Sequence, residues 1–403
     1  MIENVLKLWT RCIGVSCVLC TVLAEARTVD MSALFPSLHI SQQATNNRHG
    51  VSGIDNPREI ATSRDKKSIF VVSGDDDALS VFQLDSDDQL YFKQTFKNID
   101  DNRYKLAGAS DVIALDNGKW LITASFYDGA LSLFSKVEQG GYQFVHSLSD
   151  DLSAKRVFKD PTPVGGLDNL KLLAPWSILK LDEQHFVVAS YKSDAVRFFK
   201  LSNGRIVTNE PANKGVNKQQ FGSPVAVQPI MNKETGQKKL IVAGFNDSTL
   251  TLLDKGDTQY YAVSQRISLK EYGCLNPQAM QAVEIINKLY VACSGSDKIL
   301  VLQESQPNQF KVIQVVAHPH LQGVNSLAMA RDGRWGYAAS EKSNGVIVLQ
   351  NKPLTGLSVS TVVLDNTPVV SSISSLTLTR PDLLVVTSAK QDTLYLLNVT
   401  APH

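Results

Sequence analysis

Residues 122–134, ITASFYDGALSLF, contain two β-forming runs on either side of the short loop 126–129. The first run ends in a small residue, Ser125, and the second is rich in Leu and Phe, which favours extended strands. The loop carries Phe126 and Tyr127, and aromatic rings at such a position are exposed unless another part of the chain covers them. The stretch therefore predicts a β-hairpin whose tip bears two aromatic rings.

The same hairpin pattern occurs seven times along the chain. The other six copies are VVSGDDDALSVF (71–82), VVASYKSDAVRFF (187–199), IVAGFNDSTLTLL (241–253), YVACSGSDKILVL (290–302), YAASEKSNGVIVL (337–349) and VVTSAKQDTLYLL (385–397). The small residue that ends the first run is Ser73, Ser125, Ser190, Gly244, Cys293, Ser340 and Ser388 in turn. These positions recur at intervals of roughly 50 residues, a period typical of β-propeller repeats.

Each hairpin is flanked by two further β-capable runs. An apolar run such as SDVIAL (110–115) precedes it, and an amphipathic run such as QLYFKQTF (89–96) follows. One period is therefore four short strands, and a sheet of four strands buries both faces only when it stacks against neighbouring sheets. We predict an all-β fold, a seven-bladed β-propeller of four-stranded antiparallel blades.

The two chain ends predict how the ring closes. The seventh repeat ends at LYLLNVT (394–400), so its outermost strand is missing. The segment 31–43, MSALFPSLHISQQ, precedes the first repeat and contains a β-capable stretch. Since an open ring leaves an unpaired strand edge, we expect this segment to supply the missing strand.

The first 26 residues have the layout of a secretory signal peptide. Lys7 and Arg11 precede an uncharged, mostly apolar run (12–24), and an Ala-Glu-Ala sequence follows at 24–26. The alternative is a buried helix of the fold. We predict a signal peptide over 1–26, a single propeller domain over 27–403, and export to the periplasm or the extracellular space, with no integral membrane segment after cleavage.

Cleavage after residue 26 leaves two cysteines, Cys274 and Cys293. Cys293 ends the second strand of the fifth repeat, and Cys274 lies just before the first strand of the same repeat, near the same face. We expect one disulfide between them in an exported chain, with a buried free thiol at Cys293 as the alternative. The net charge of +1 indicates no electrostatic site for nucleic acid.

The order of turn, aromatic residue, strand and polar loop adds a family resemblance. In LDNGKWLITASFYDGALSLF (115–134) and ARDGRWGYAASEKSNGVIVLQ (330–350), an Asn-Gly or Asp-Gly turn precedes an aromatic residue, a strand ending in Ala-Ser and a Leu/Val-rich strand. This resembles the lactonase-like seven-bladed propellers, which include the 6-phosphogluconolactonases and the YVTN surface-protein repeats. The resemblance covers nearly the whole mature chain and implies the fold. It also makes a lactonase-like hydrolase, acting on a sugar-acid lactone at the mouth of the axial channel, the alternative function.

Members of that family place histidine and arginine near the starts of the innermost strands. Here those starts carry Glu59, Asp111, Trp176, Val225, Gln278, Asn325 and Ser375. Arg58, next to Glu59, is the only basic residue near these starts. No catalytic residue is therefore transferred from the family, and Glu59 and Asp111 are the weak catalytic candidates. The polar members line a water-filled channel or hold a small polar ligand or a divalent cation; no other cofactor is expected.

Two histidines form a separate and weaker metal candidate. His318 and His320 lie two residues apart in AHPH, on the connection into the sixth repeat. Without a third ligand nearby, such a pair is more often part of an ordinary loop than a metal site.

Aromatic residues mark one side of the ring. The residue after the small position is aromatic in three consecutive repeats, as Phe126, Tyr191 and Phe245, and the long connection 149–174 and Trp176 fall in the same sector. We expect these rings, with Tyr127, to form an arc that binds a protein, peptide or glycan. The alternative is that the 149–174 insertion folds over them and buries them. Gln278 and Asn325 complete the predicted ligand-binding set.

Overall fold

Strands make up most of the computed structural model, which describes residues 36–138, 140–152, 167–231, 236, 238–256, 258–306, 309–342, 344–363 and 370–400. The predicted signal peptide 1–26 and residues 153–166 of the predicted insertion lie outside these residues. Within the unit Leu38–Thr400, seven four-stranded antiparallel sheets form the blades of a β-propeller. The predicted fold class is confirmed.

In six of the seven blades the strands run in chain order from the axial channel to the rim. Blade 1 contains β2 (Pro57–Thr62), β3 (Ser68–Ser73), β4 (Ala78–Leu84) and β5 (Leu90–Lys97). Blade 2 contains β6 (Ala109–Leu115), β7 (Trp120–Ser125), β8 (Ala130–Lys136) and β9 (Tyr142–Ser149). Blade 3 contains β10 (Pro175–Lys180), β11 (His185–Ser190), β12 (Ala195–Ser202) and β13 (Arg205–Thr208).

The same order continues around the ring. Blade 4 contains β14 (Pro224–Met231), β15 (Lys238–Gly244), β16 (Thr249–Asp254) and β17 (Ala262–Ser268). Blade 5 contains β18 (Pro277–Val283), β19 (Lys288–Cys293), β20 (Lys298–Gln306) and β21 (Gln309–Ala317). Blade 6 contains β22 (Val324–Met329), β23 (Trp335–Ser340), β24 (Val346–Lys352) and β25 (Gly356–Val363).

Blade 7 is built from both ends of the domain. It contains β26 (Ile373–Arg380), β27 (Leu383–Ser388) and β28 (Thr393–Thr400), and its outermost strand is β1 (Ser37–Thr45). The Ser41 hydroxyl donates to the Leu396 carbonyl oxygen at 3.1 Å, and the Asn46 N–H donates to the Asp392 carbonyl oxygen at 2.8 Å. The ring therefore closes as the sequence predicts.

Among the described residues, helical segments are short and lie in the connections. They are α1 (Glu210–Asn213) and the 3₁₀ turns Asn102–Tyr104, Asp116–Gly118, Lys270–Tyr272, Glu284–Ile286 and Pro319–Leu321. Over the described residues, no helix has the length and apolar character needed to cross a membrane.

The hydrophobic core is divided among the gaps between blades. Seven clusters of buried apolar side chains each join one blade to the next, including the pair formed by blades 7 and 1. Each blade therefore buries both faces against its neighbours. Fully burying one large aliphatic or aromatic side chain contributes about 1.5–3 kcal/mol, so stability depends on a complete ring.

Polar loops hold the blades together on one face of the ring. We call the segments between the second and third strands the 2–3 loops: 74–77, 126–129, 191–194, 245–248, 294–297, 341–345 and 389–392. We call the two residues before each innermost strand the lead-in turn. In five blades the side chain of the third 2–3 loop residue accepts a hydrogen bond from the N–H of the first lead-in residue of the same blade. These side chains are Asp76, Asp128, Ser193, Ser296 and Gln391.

The fourth residue of the loop reaches the next blade. Its side chain accepts a hydrogen bond from the second N–H of the following lead-in turn at five junctions, through Asp77, Asp194, Ser248, Asp297 and Asp392. These five residues have φ between 48° and 58°. Among L-residues, Asp and Asn tolerate this left-handed conformation best because their short side chains bond locally. The inter-blade contact and the turn therefore select the same polar residue types.

The small position is small because the lead-in turn passes directly over it. Ser340 and Ser388 donate their hydroxyl protons to carbonyl oxygens of the lead-in turns, Gln322 and Ser371, at 2.5 Å each. A Cβ added to Gly244 would lie 2.2 Å from the Phe221 carbonyl oxygen. A larger side chain here would push the lead-in turn away from its blade.

Glutamine side chains repeat a second inter-blade contact at the rim. The Gln94 amide donates to the Tyr142 carbonyl oxygen at 2.9 Å and accepts from the Tyr142 N–H at 2.8 Å. Gln265 and Gln314 make the same paired contact with the outermost strand of the following blade. The side-chain amide thus satisfies strand-edge groups that would otherwise stay unpaired.

We predict that Asp194→Ala lowers the free energy of unfolding by at least about 2 kcal/mol. The Asp194 carboxylate accepts from the N–H groups of Phe221 and Ser223 at 3.1 and 2.7 Å, and the substitution leaves both donors unpaired while placing Ala at a positive φ. Urea denaturation measures the change. Asp194→Asn, which keeps the acceptor oxygen, should restore most of the stability; equal losses in both variants would contradict the role of the inter-blade bond.

Candidate functional site

A β-bulge recurs near the start of every innermost strand. In each blade the first residue of that strand pairs with the small position, and the third residue pairs with the residue before it, so the second residue is extra. The seven bulge residues are Arg58, Ser110, Trp176, Val225, Gln278, Asn325 and Ser374. Bulges re-aim a side chain without breaking the sheet, and here they line the opening of the axial channel.

The channel opens into a cavity of about 440 Å³ on the face of the 2–3 loops. All seven bulge residues line it, together with loop residues from three blades: Gly74 and Asp75, Phe126 and Tyr127, and Glu341. In six innermost strands, the residue directly after the bulge residue forms the deeper wall of the cavity. These residues are Glu59, Ser177, Ala226, Ala279, Ser326 and Ser375. The cavity is thus a product of the whole ring.

Aromatic rings form one continuous row on the side of blades 2 to 4. Ring centroids are 5.2 Å apart for Tyr127 and Phe126, 5.8 Å for Phe126 and Trp176, 6.1 Å for Trp176 and Tyr191, and 6.2 Å for Tyr191 and Phe245. The structure therefore brings the five predicted aromatic residues together. Tyr127, Phe126 and Trp176 line the cavity, and the row continues outward over blades 3 and 4.

A glycine allows the first ring of the row to lie against the backbone. Gly108 has φ +64°, and a Cβ there would lie 2.4 Å from Tyr127 Cδ2. Tyr127 remains 45% exposed, whereas Phe126 and Tyr191 are half-buried against a small cluster containing Leu152, Leu173 and Ala174. The described ends of the 149–174 insertion thus cover part of the row.

The opposite side of the cavity is charged. Arg58 on β2 and Glu341 in the 2–3 loop of blade 6 form an ion pair at 3.2 Å, and both side chains are about two-fifths exposed. This pair spans the edge of blade 7, whose own 2–3 loop carries Ala389 at the corresponding position. An exposed pair of this kind contributes at most about 1 kcal/mol to stability, so it is available for exchange with a ligand.

Glu59 lies in the deeper wall. The Ser375 hydroxyl on blade 7 donates to Glu59 Oε1 at 2.6 Å, and the Ile60 N–H donates to the same oxygen at 2.9 Å. Burial raises the pKa of the Glu59 carboxyl above its ordinary value of 4.5, although both hydrogen bonds act to lower the pKa.

The Asp111 carboxylate accepts hydrogen bonds from backbone N–H groups of two innermost strands. Its Oδ1 accepts from the Val112 N–H at 2.6 Å, and its Oδ2 accepts from the Ile178 N–H of blade 3 at 2.7 Å. Burial and, secondly, the charge of Glu59 raise the pKa of Asp111 well above its ordinary value of 3.8. Because both oxygens are engaged by backbone donors, the position of Asp111 is explained by a structural role.

The predicted polar ring is divided between two levels. Gln278 and Asn325 are bulge residues at the mouth, whereas Glu59, Asp111 and Ser375 are each one residue further along their strands. The difference arises because the bulge inserts one residue into each innermost strand, so a position counted from the apparent strand start differs by one between repeats. Ser110, Ser177, Ser326 and Ser374 also line the cavity and were not predicted from the sequence, although each precedes the apolar run of its strand.

The two histidines lie in a turn. The His320 N–H donates to His318 Nδ1 at 3.3 Å, and the two ring centroids are 5.1 Å apart. His318 therefore caps the 3₁₀ turn Pro319–Leu321. In the described ranges, no group of three or more His, Cys, Asp or Glu side chains is placed to hold a metal ion.

The two cysteines lie where the sequence places them. Cys274 and Cys293 Sγ atoms are 2.01 Å apart, forming a disulfide that closes a separation of 19 residues. Cys293 occupies the small position of blade 5, so the covalent bond takes the place of the hydrogen bond that Ser73, Ser340 and Ser388 make to the lead-in turns of their own blades.

Comparison with known proteins gives similarity of fold. No family model matches the chain, and no curated protein matches it. The periplasmic gluconolactonase PpgL of Pseudomonas aeruginosa is 14% identical over 78% of this chain and 85% of its own, with a TM-score of 0.60. The β-propeller domain of Swd1 from Myceliophteria thermophila is 9% identical over 90% and 99%, also with a TM-score of 0.60.

A candidate 6-phosphogluconolactonase from Bacteroides fragilis is 15% identical over 75% of this chain and 83% of its own, with a TM-score of 0.55. The chain is therefore a seven-bladed β-propeller, and its solved neighbours include the lactonase-like proteins that its repeats resemble. At these identities the similarity shows the fold alone, since one propeller fold carries many unrelated functions.

We predict that Glu59→Gln changes the pH dependence of stability. A carboxyl whose folded-state pKa is raised stabilises the fold below its unfolded pKa and loses that contribution as the pH rises through the folded value. Glutamine keeps the acceptor oxygen and cannot ionise, so the unfolding free energy of the variant relative to wild type should increase as the pH rises above 4.5.

Urea denaturation across a pH series measures this difference. Glu271→Gln removes one exposed carboxylate far from the channel and is the matched control. A difference between Glu59→Gln and wild type that stays constant with pH would contradict the raised pKa.

Proposed function

We propose that this protein is an exported binding module that holds part of a protein, peptide or glycan in the axial cavity on the face of the 2–3 loops. The observation that carries the proposal is the cavity of about 440 Å³ to which all seven blades contribute and which an aromatic row borders on one side. Cavities of this size with aromatic walls and a few placed polar groups are typical ligand sites.

The asymmetry of the site supports binding. The innermost strands repeat the same bulge, yet only blades 2 to 4 carry aromatic rings beside it. Aromatic residues dominate the binding energy of many interfaces, because they bury a large rigid surface. Half-exposed rings beside a concave, partly charged opening therefore favour a ligand that contacts the row and enters the cavity.

Export is supported by two features. The layout of residues 1–26 resembles a secretory signal peptide, and the Cys274–Cys293 disulfide suits an oxidising compartment such as the periplasm or the extracellular space. The balanced charge gives no support for a nucleic-acid partner.

We predict that the purified protein binds a restricted set of members on peptide and glycan arrays, and that Trp176→Ala weakens this binding at least about thirtyfold, the effect of losing an anchor worth about 2 kcal/mol. Tyr91→Ser, which removes a ring that is 48% exposed on the rim strand β5, is the matched control and should bind normally. Array binding that Trp176→Ala leaves unchanged would place the ligand outside this cavity.

A second candidate is a lactonase-like hydrolase, favoured by the raised pKa of the Glu59 carboxyl in the deeper wall. Perturbed acids in a cleft are a feature of catalytic sites. If the protein is such a hydrolase, we expect it to release acid from a sugar-acid lactone faster than the uncatalysed reaction. The Glu59→Gln substitution should then lower the catalysed rate at least about a hundredfold. Wild-type protein that leaves the uncatalysed rate unchanged would exclude this candidate.

A further inference from the structure

The lining of the axial cavity carries more negatively than positively charged side chains. Carboxylates come from Glu59, Asp75 and Glu341, and the one positively charged side chain among the described lining residues, Arg58, is paired with Glu341. Asn325 Oδ1 is buried and finds no donor in the part of the chain that the structure describes. A buried acceptor without a donor costs about 1–3 kcal/mol, so a ligand that brings donors is favoured.

Glu59 acts as an acceptor in this lining. Its Oε1 receives hydrogen bonds from the Ser375 hydroxyl and the Ile60 N–H. A positive charge close to a carboxyl favours the ionised form. The deeper wall therefore presents an acid that a cation would hold in its charged state.

The aromatic row offers a second form of attraction to the same kind of group. The faces of aromatic rings carry negative potential and attract cations within about 6 Å, most strongly on Trp. Within the row itself, Lys192 Nζ lies 5.6 Å from the centroid of the Tyr191 ring. Trp176 and Phe126 extend this row into the cavity, whose lining also carries the carboxylates.

We propose that the cavity binds an organic cation, the guanidinium or ammonium group of an arginine or lysine side chain presented by a peptide or protein partner. The inference rests on the proposed binding function and specifies its ligand. Trp176 and Phe126 contact the cation through their rings, Glu59 and Asn325 accept its N–H hydrogen bonds, and Asp75 and Glu341 provide negative charge at the mouth.

The chemistry of the lining separates this ligand from the other classes. An anion would face three carboxylates, Glu59, Asp75 and Glu341, against the single cation Arg58, so net charge repulsion opposes it. A neutral sugar stacks on aromatic rings, but it has no charge that the carboxylates could attract. A cation uses the rings, the charges and the unpaired acceptor together.

The length of the aromatic row favours a peptide as the carrier. Tyr191 and Phe245 continue the row over blades 3 and 4, outside the cavity. A small free ammonium compound would leave those two rings uncovered. A peptide places one charged side chain in the cavity and lays its flanking residues along the remaining rings.

Isothermal titration with matched probes tests the proposal. Nα-acetyl-arginine methylamide is compared with the citrulline analogue, and the lysine amide with the norleucine analogue, because each pair differs mainly in charge. We expect a charged member to bind at least about tenfold more tightly than its neutral partner, corresponding to about 1.4 kcal/mol. Choline tests a small free ammonium compound as the ligand, and methyl glucoside tests a neutral sugar.

Variants locate the binding. Glu59→Gln and Trp176→Leu should each reduce the affinity for the charged probe at least about fivefold, while Tyr91→Ser leaves it unchanged. Thermal unfolding confirms that each variant is folded. If Trp176→Leu does not fold, Tyr127→Ser, which alters an exposed ring of the same cavity, takes its place.

Three results would overturn the inference: equal binding of charged and neutral analogues, tighter binding of choline than of either amino-acid amide, or tighter binding of methyl glucoside. If the array ligands still bind in a Trp176-dependent manner, only the cation is rejected and the binding function stands. If no array ligand and no probe binds in the cavity, the proposed function fails as well.

Discussion

The hydrogen bonds between the 2–3 loops and the lead-in turns determine how each blade meets the next. Asp77, Asp194 and Asp297 accept from the backbone of the following blade, and Asp392 does the same across the junction between blades 7 and 1. These bonds position the innermost strands of blades 1, 2, 4 and 6 at their first residues. The hydrophobic clusters between blades are non-directional, so the polar contacts at this face supply the geometric precision that packing alone lacks.

The candidate site follows from the same contacts. Once the lead-in turn is held, the innermost strand begins with a bulge, and the bulge directs one side chain per blade into the channel mouth. The loops that hold the blades also carry Phe126, Tyr127 and Glu341 to the rim of the cavity. Residues that hold the blades and residues that line the cavity are therefore neighbours within single loops: Asp128 bonds the lead-in turn, and the adjacent Tyr127 lines the cavity.

The conserved geometry of the scaffold leaves the chemistry of the mouth free to vary. Trp176, Val225, Gln278 and Asn325 occupy equivalent bulge positions, although their chemistry ranges from aromatic and aliphatic to amide. Since the backbone on either side of each bulge is held by strand pairing and the bulge side chain lies at the cavity, a substitution there changes the chemistry of the mouth at little cost to the fold. Solved propellers that are 9% to 15% identical to this chain share its fold.

The sequence by itself determined the number of blades, the four-strand unit, ring closure by the segment before the first repeat, and the sector that holds the aromatic residues. Such features depend on local periodicity and on order along the chain, which the sequence carries directly. Only the tertiary structure decided that Gln278 lies at the mouth and Glu59 one level deeper, that Arg58 pairs with Glu341, and that Asp111 bonds the strand edge of blade 3. The bulge shifts the register by one residue, and Asp111 bonds a blade 67 residues further along the chain. Arg58 and Glu341 are 283 residues apart, so their pair exists only once the ring is closed.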